Sequence, residues 1–184
     1  MTEQRETHRV EVAGLVREFP LFEVAPGVRI AVVNILGDTE LTQYAAKELA
    51  KQLADRNPEV LVTAEAKSIP LVHALSTVMD LPYVVLRKSY KPYMGAALEA
   101  ETLSITTGKP QTLYLDEKDR KLLVGRQAAI IDDVISTGST LMGMRLITEK
   151  AGATVVAQAA IFTEGDRAKW ADVIALGHLP VFTD

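Results

Sequence analysis

Apolar positions along the chain switch between two rhythms. Across residues 38–54 they recur at helical spacing, with Leu41, Tyr44, Ala45, Leu49 and Leu53 on one face and Asp38 or Thr39 placed to cap the start. Asn57-Pro58 stops that helix. Residues 60–63 form a short apolar run that predicts a buried strand. A second helical set follows in Ile69, Val72, Leu75 and Met79, with Pro70 in the first turn, where no amide donor is needed. Residues 83–86 predict a strand after the Asp80-Leu81-Pro82 turn. Residues 102–106 and 111–115 predict a hairpin around Thr107-Gly108-Lys109-Pro110. Residues 128–131 are a continuous apolar strand, 139–150 a helix stopped by Ala151-Gly152-Ala153, and 155–162 and 173–176 two more strands. Two stretches keep neither rhythm. Residues 1–37 read as an irregular N-terminal segment with two mostly apolar runs, 19–24 and 28–36. Residues 87–101 read as a long mobile loop, and loops of that length are usually functional. Buried strands alternating with helices predict an α/β fold, a mainly parallel twisted sheet flanked by helices on both faces.

Composition narrows the classes. A chain of 184 residues suits one domain, 1–184, with a core from residue 38. Apolar residues are 48% and charged residues 24%, which excludes a disordered or collagen-like chain. The absence of cysteine excludes disulfides, zinc–thiolate sites, iron–sulfur clusters and a thiol nucleophile. A net charge of −4 argues against a nucleic-acid partner. No apolar run approaches the ~20 residues of a membrane span, and the polar N-terminus is unlike a signal peptide. A cytoplasmic protein with no membrane partner is expected.

The sharpest chemical signal is AAIIDDVISTGST, residues 128–140. An apolar strand ends in Asp132 and Asp133, and a loop of Ser136, Thr137, Gly138, Ser139 and Thr140 opens a helix. Ligands of open α/β sheets bind beyond the carboxyl ends of the strands. Small hydroxyl residues and glycine at a helix N-terminus suit a phosphate, because amides converge there and the helix dipole favours an anion. The two carboxylates are acceptors, suited to a vicinal diol or to magnesium-bound water. A phosphate site beside diol acceptors describes a ribose 5-phosphate. An apolar strand ending in two acids also suits a Walker B strand. That reading needs G-x-x-x-x-G-K-[ST], and the nearest string, from Gly138 to Gly143, continues Met144-Arg145.

These residues resemble the phosphoribosyl pyrophosphate (PRPP) binding motif of type I phosphoribosyltransferases, and the resemblance spans roughly residues 38–162. It implies that fold, with residues 1–37 as a small hood and 87–101 as a flexible loop. It also implies that Asp132 and Asp133 hold the ribose hydroxyls while Ser136 to Thr140 cradle the 5-phosphate. Two further segments fit the purine branch. Glu65-Ala66-Lys67-Ser68 matches its acidic–small–basic–small pyrophosphate loop. Leu86-Arg87-Lys88 matches its strand ending in Arg-Lys, so Arg87, Lys88 and Lys91 are candidates to clamp pyrophosphate, with Tyr90 or Tyr93 covering the site. Adenine-specific members place a tyrosine after an acidic residue at the far end of this loop; here the region reads Glu99-Ala100-Glu101-Thr102.

The implied reaction transfers ribose 5-phosphate from PRPP to a ring nitrogen of a purine, adenine first and xanthine or another 6-oxopurine second. It releases pyrophosphate and a nucleoside monophosphate. Magnesium would be carried on PRPP and water, with no direct protein ligand. Lys67 and loop amides would stabilise the leaving group, and Glu99 or Glu101 could accept the proton. The base would meet the hood, where Phe19, Phe22 or Ile35 could stack and Asn34 could bond its edge. Trp170 and the three histidines, His8, His73 and His178, read as packing or surface groups. The resemblance implies a homodimer. The competing expectation is a non-catalytic PRPP or nucleotide sensor of the same fold; about 37 residues precede the first helix, few for a DNA-binding module plus a hood.

Overall fold

The segment before the first helix, expected to be irregular, is a small antiparallel sheet. In the computed structural model, which describes residues 6–103 and 110–183, β1 (Thr7–Val12) and β2 (Leu15–Ala25) pair through a two-residue turn at Ala13-Gly14. Both turn residues have positive φ, 52° and 76°, as a tight hairpin requires. β3 (Val28–Ala31) returns antiparallel to β2. The period-2 signal was masked because the outward positions of β1, Thr7, Arg9 and Glu11, are polar while inward His8 is polar too.

The hood is locked to the core at the start of α1 (Thr39–Leu53). The Asp38 side chain caps the helix by accepting the Leu41 amide at 3.0 Å. It also accepts two hydrogen bonds from Arg17 of β2, at 2.7 and 2.9 Å, and Arg17 reaches Glu40 at 2.8 Å. α1 buries Leu41, Thr42, Ala45, Ala46, Leu49 and Leu53. Tyr44, expected on that face, is 45% exposed; at 3.6 residues per turn it lies roughly 140° from the centre of the buried stripe.

The core then alternates as expected. β4 (Val60–Ala64) is buried throughout, α2 (Ile69–Met79) carries Pro70 in its first turn, and β5 is Tyr83–Leu86. The loop after β5 is shorter than expected, because residues 98–101 belong to a hairpin of β6 (Leu98–Leu103) and β7 (Pro110–Leu115). Leu98 and Ala100 pack inward while Glu99 and Glu101 are exposed, an alternation that charged residues disguise in the sequence. Of the predicted hairpin, residues 104–109 lie outside the described residues. A one-turn helix α3 (Glu117–Arg120) precedes β8 (Gln127–Ile135), followed by α4 (Ser139–Lys150), β9 (Thr154–Glu164), β10 (Ile174–Leu179) and β11 (Val181–Thr183).

The central sheet runs β10-β9-β8-β4-β5 with every neighbouring pair parallel. Leu61, Ala129, Ile131, Ala159 and Ile161 pack with α1 and α2. Val60, Val62, Val84, Leu86, Ala128, Ile130 and Ala160 pack with α4 and the hairpin. Burial on both faces explains why these strands read as continuous apolar runs. The unpredicted β11 pairs with β3, so the C-terminal strand completes a four-stranded hood sheet, β1-β2-β3-β11. No helix among the described residues is long and apolar enough to cross a membrane.

Candidate active site

β8 does not end at its last apolar residue but runs through both acids to Ile135. Asp132 lies opposite Ala160 of β9 in the ladder. The chain then turns through Ser136, Thr137 and Gly138 into α4. Gly138 takes φ +84° at the helix N-cap, a conformation that favours glycine. This turn, Asp132 and the start of α4 enclose a cavity of about 100 Å3, lined by Ser136, Thr137, Gly138 and Thr140. A helix start leaves its first amides without intrahelical partners, and such a start beside the cavity suits a phosphate.

A second cavity of about 150 Å3 adjoins it, with Asp132, Val134 and Thr140 lining both. Its other walls are Asp133, the 64–68 loop between β4 and α2, and Lys88. The Ser68 hydroxyl lies 2.7 Å from Asp132 Oδ1 and 3.0 Å from Asp133 Oδ1, and it accepts the Asp133 amide at 2.9 Å. Asp133 Oδ2 is buried with no hydrogen-bond partner, and the Lys67 ammonium stands 3.9 Å away. Lys67 also donates to the Val33 carbonyl at 3.2 Å, which joins the loop to the hood connection. Burial, and then the neighbouring Asp133 charge, push the Asp132 carboxyl up to about 7.

Arg87 is drawn to the other side of the 64–68 loop. Its Nε donates to Glu65 Oε2 at 2.6 Å, while Glu65 Oε1 accepts the Lys88 amide at 2.6 Å. The Glu65 carboxylate holds the Arg87 pKa above its ordinary value. Arg87 lines a separate cleft with Tyr83, Tyr93 and Asp116. Glu65 therefore braces two loops against each other, and Ala66 lines the cavity between them.

Other expected residues stand farther out. Lys91 is exposed beside a short turn at Pro92–Met94, Tyr90 donates to the Gly95 carbonyl at 3.1 Å, and Tyr93 is exposed. Glu99 and Glu101 lie on β6; Glu101 lines a groove along α4 that also touches Thr137, Gly138 and Ser139, and neither acid lines the cavity of Asp133. Phe22 is exposed on the hood, and the Asn34 side chain accepts the Leu36 amide at 3.3 Å. Ile35 is fully buried in the core, so it packs and does not stack on a ligand. Phe19 is likewise spent, edge-on to Phe162 at 5.6 Å.

Sequence reasoning missed the support behind the turn at Ser136, Thr137 and Gly138. Ser136 donates its hydroxyl at 2.5 Å to Glu164, a buried acid at the end of β9. The Trp170 indole N–H donates to the Glu164 carbonyl at 3.1 Å, and its ring backs Gly138. Lys169 lies over that ring, 4.8 Å from its centroid, and donates to the Thr137 carbonyl at 3.1 Å. An acid ending the apolar run beside the Asp132 strand was the available signal for Glu164.

The parallel sheet and the two joined cavities at its carboxyl edge define an α/β protein with a candidate site whose lining suits a phosphorylated ligand. The family model for the phosphoribosyl transferase domain matches residues 33–175, most of the chain, and the protein belongs to that family. The resemblance carried by residues 128–140 is borne out, as is the type I fold. The chain is 34% identical to a hypoxanthine/guanine phosphoribosyltransferase of Methanococcus voltae, over 78% of this chain and 69% of that one. It is 27% identical to the purine biosynthesis transcriptional activator PurR of Lactococcus lactis, over 84% of this chain and 55% of that one. It thus spans about half the length of the first curated relatives it matches. Among solved structures, the adenine phosphoribosyltransferase of Giardia lamblia superposes with a TM-score of 0.67 at 16% identity, covering 94% of this chain and 93% of that one.

Proposed function

We propose that the protein is a PRPP-dependent purine phosphoribosyltransferase. The observation that carries this is Asp133, which lines the cavity shared with Thr140, Lys67 and Lys88 and whose Oδ2 is a buried carboxylate oxygen left without a hydrogen-bond donor. A buried acceptor without a partner is costly, and a ribose hydroxyl supplies the missing donor. Asp132 and Asp133 then hold the sugar. Amides from Thr137 to Thr140 hold the 5-phosphate, and the Lys67 ammonium faces the departing pyrophosphate. The anionic leaving group makes charge stabilisation the main catalytic task.

Magnesium enters this reading on the substrate. No three or more His, Cys, Asp or Glu side chains gather into an ion-holding group among the described residues; the paired carboxylates are acceptors for metal-bound water, which fits an ion carried by PRPP. When bound, the ion neutralises charge on pyrophosphate.

The base meets the hood side of the cavity, near the Val33 carbonyl and Asn34. Adenine is the first candidate and a 6-oxopurine the second, the latter favoured by the hypoxanthine/guanine relatives and by the missing tyrosine near Glu101. PRPP and a purine are thus the substrates, in purine salvage, and a homodimer is the proposed assembly. The test is pyrophosphate release from PRPP and magnesium with adenine, hypoxanthine, guanine and xanthine in turn. Release with one or more bases is expected, and silence with all four refutes the enzyme. A second reading, PRPP sensing without turnover, draws on the PurR relatives and on the distance of Glu99 and Glu101 from the acid pair. Tight PRPP binding by calorimetry with no pyrophosphate release would establish it.

A further inference from the structure

We propose that Ser68 is a positioning residue that aims the two diol-binding carboxylates, and not a donor to pyrophosphate. The inference rests on the ribose-phosphate reading of the site. Its place in the 64–68 loop makes Ser68 a natural pyrophosphate ligand by sequence, yet its hydroxyl is already occupied. The residue is 2% exposed. Its single proton faces two carboxylate oxygens, Asp132 Oδ1 at 2.7 Å and Asp133 Oδ1 at 3.0 Å, and the oxygen accepts the Asp133 amide at 2.9 Å. A hydroxyl has one donor, so none remains for a phosphate oxygen.

The consequence is geometric. Ser68 draws the Oδ1 atoms of both acids toward one point, which fixes the rotation of each carboxyl group. Asp133 Oδ2 is thereby left as the buried, unpaired acceptor. Ser68 also joins β4 to β8, so the pyrophosphate loop and the acid pair move as one unit. The hydroxyl favours the ionised form of Asp132, against burial and Asp133. The other charged groups facing the pair are Lys67, 3.9 Å from Asp133 Oδ2, and Lys88 and Glu65 across the same cavity, with Glu65 engaged by Arg87. None of these offers a second hydrogen bond to the Oδ1 atoms, so Ser68 has no understudy beyond the Asp133 amide, which also reaches Asp132 Oδ1 at 2.9 Å.

Steady-state kinetics of Ser68→Ala and Ser68→Gly, with the purine the wild type accepts, test this. Loss of one charge-assisted hydrogen bond is expected to raise the PRPP KM about tenfold, while the KM for the base stays unchanged. The acid limb of kcat/KM for PRPP is expected to move to higher pH, because Asp132 loses the group that favours its ionised form. Combined with Asp132→Asn, the losses are expected to fall short of additive. An unchanged PRPP KM and acid limb, equal losses for PRPP and base, or strict additivity would overturn the proposal. Calorimetric binding of PRPP runs in parallel. If the wild type binds PRPP but releases no pyrophosphate, the enzyme reading falls, and a tenfold weaker Kd in either variant still supports Ser68 as the aiming group, whereas an unchanged Kd overturns it.

Discussion

Replacing Gly138 with alanine strikes the proposed phosphate turn in two separable ways. Its φ of +84° places an alanine in the left-handed region, at about 1–2 kcal/mol. The added Cβ would also stand 2.6 Å from Cη2 and 3.2 Å from Cζ3 of Trp170, well inside the ~3.5–4.0 Å of ordinary carbon contact. Trp170 cannot yield cheaply, since its N–H is held by the Glu164 carbonyl and its ring lies beneath Lys169. Overpacking of this kind adds about 1–3 kcal/mol. The sum, about 2–5 kcal/mol, lowers Tm by roughly 4–20 °C for a chain of this size. Displaced amides should raise the PRPP KM at least ~10-fold. Differential scanning fluorimetry and initial-rate kinetics read both. Adding Trp170→Ala removes the clash and leaves the backbone strain, so the double variant should lose less than the sum of the two single losses. A Gly138→Ala protein that melts and binds PRPP like the wild type refutes the assignment of this turn as the cradle. A double variant whose losses simply add refutes the role given to Trp170.

Two further outcomes follow from the charged groups. The folded protein keeps the Asp132 proton to about pH 7, against about 4 in an unfolded chain. Between those values the folded state binds more protons, so this group's contribution to stability is lost as pH rises. Asp132→Asn should therefore gain Tm relative to wild type on going from pH 5 to pH 8, and a constant difference would refute the raised value. Arg17→Ala breaks the half-buried link from β2 to Asp38 and Glu40. It should cost about 1–3 kcal/mol by charge-assisted hydrogen bonding, seen as a lower urea midpoint at unchanged m. Arg17 holds the Asp38 carboxyl below its usual range, so the wild-type advantage should fade as pH drops below about 4. An equal midpoint in both proteins at neutral pH would show the link to be idle.

The core strands and helices were legible because both faces of the central sheet are covered. Residues 60–62, 83–86 and 128–131 therefore show unbroken apolar runs, and helix 139–150 has its bounds written by Gly138 and Gly152. The hood was not legible. Apart from β2 its strands are short, one face is wet, and β11 pairs with β3 across the whole chain, a contact no local pattern encodes. Asp132, Asp133 and the 136–140 turn, which line the two cavities, were legible as a candidate site because phosphate and diol chemistry would demand particular residue types at adjacent positions. Glu164 and Trp170 were not, since they act on the turn from another strand. Ile35 illustrates the reverse error, as an apolar residue in a loop segment looks available for stacking until burial shows it committed to the core.

What local patterns could not convey is that the carboxyl edge of the sheet is stitched across its whole width. Arg87, just after β5, bonds Glu65, just after β4. Ser68, in the loop after β4, contacts Asp132 and Asp133 of β8. Ser136, just after β8, donates to Glu164 of β9. Thr163 of β9 lies 2.9 Å from His178 Nδ1 of β10. Each neighbouring pair in the order β5-β4-β8-β9-β10 is thus bridged by side chains at the carboxyl edge that carries the two cavities. Parallel pairing alone aligns the strand ends but leaves the loops beyond them free to splay. These bridges hold the two cavities in fixed register before any ligand arrives, so the ordering cost is met in folding rather than in binding. Binding contributions along this edge should consequently couple between neighbouring bridges and decouple between distant ones, with Ser68 and Asp132 interacting strongly and Ser68 and His178 hardly at all.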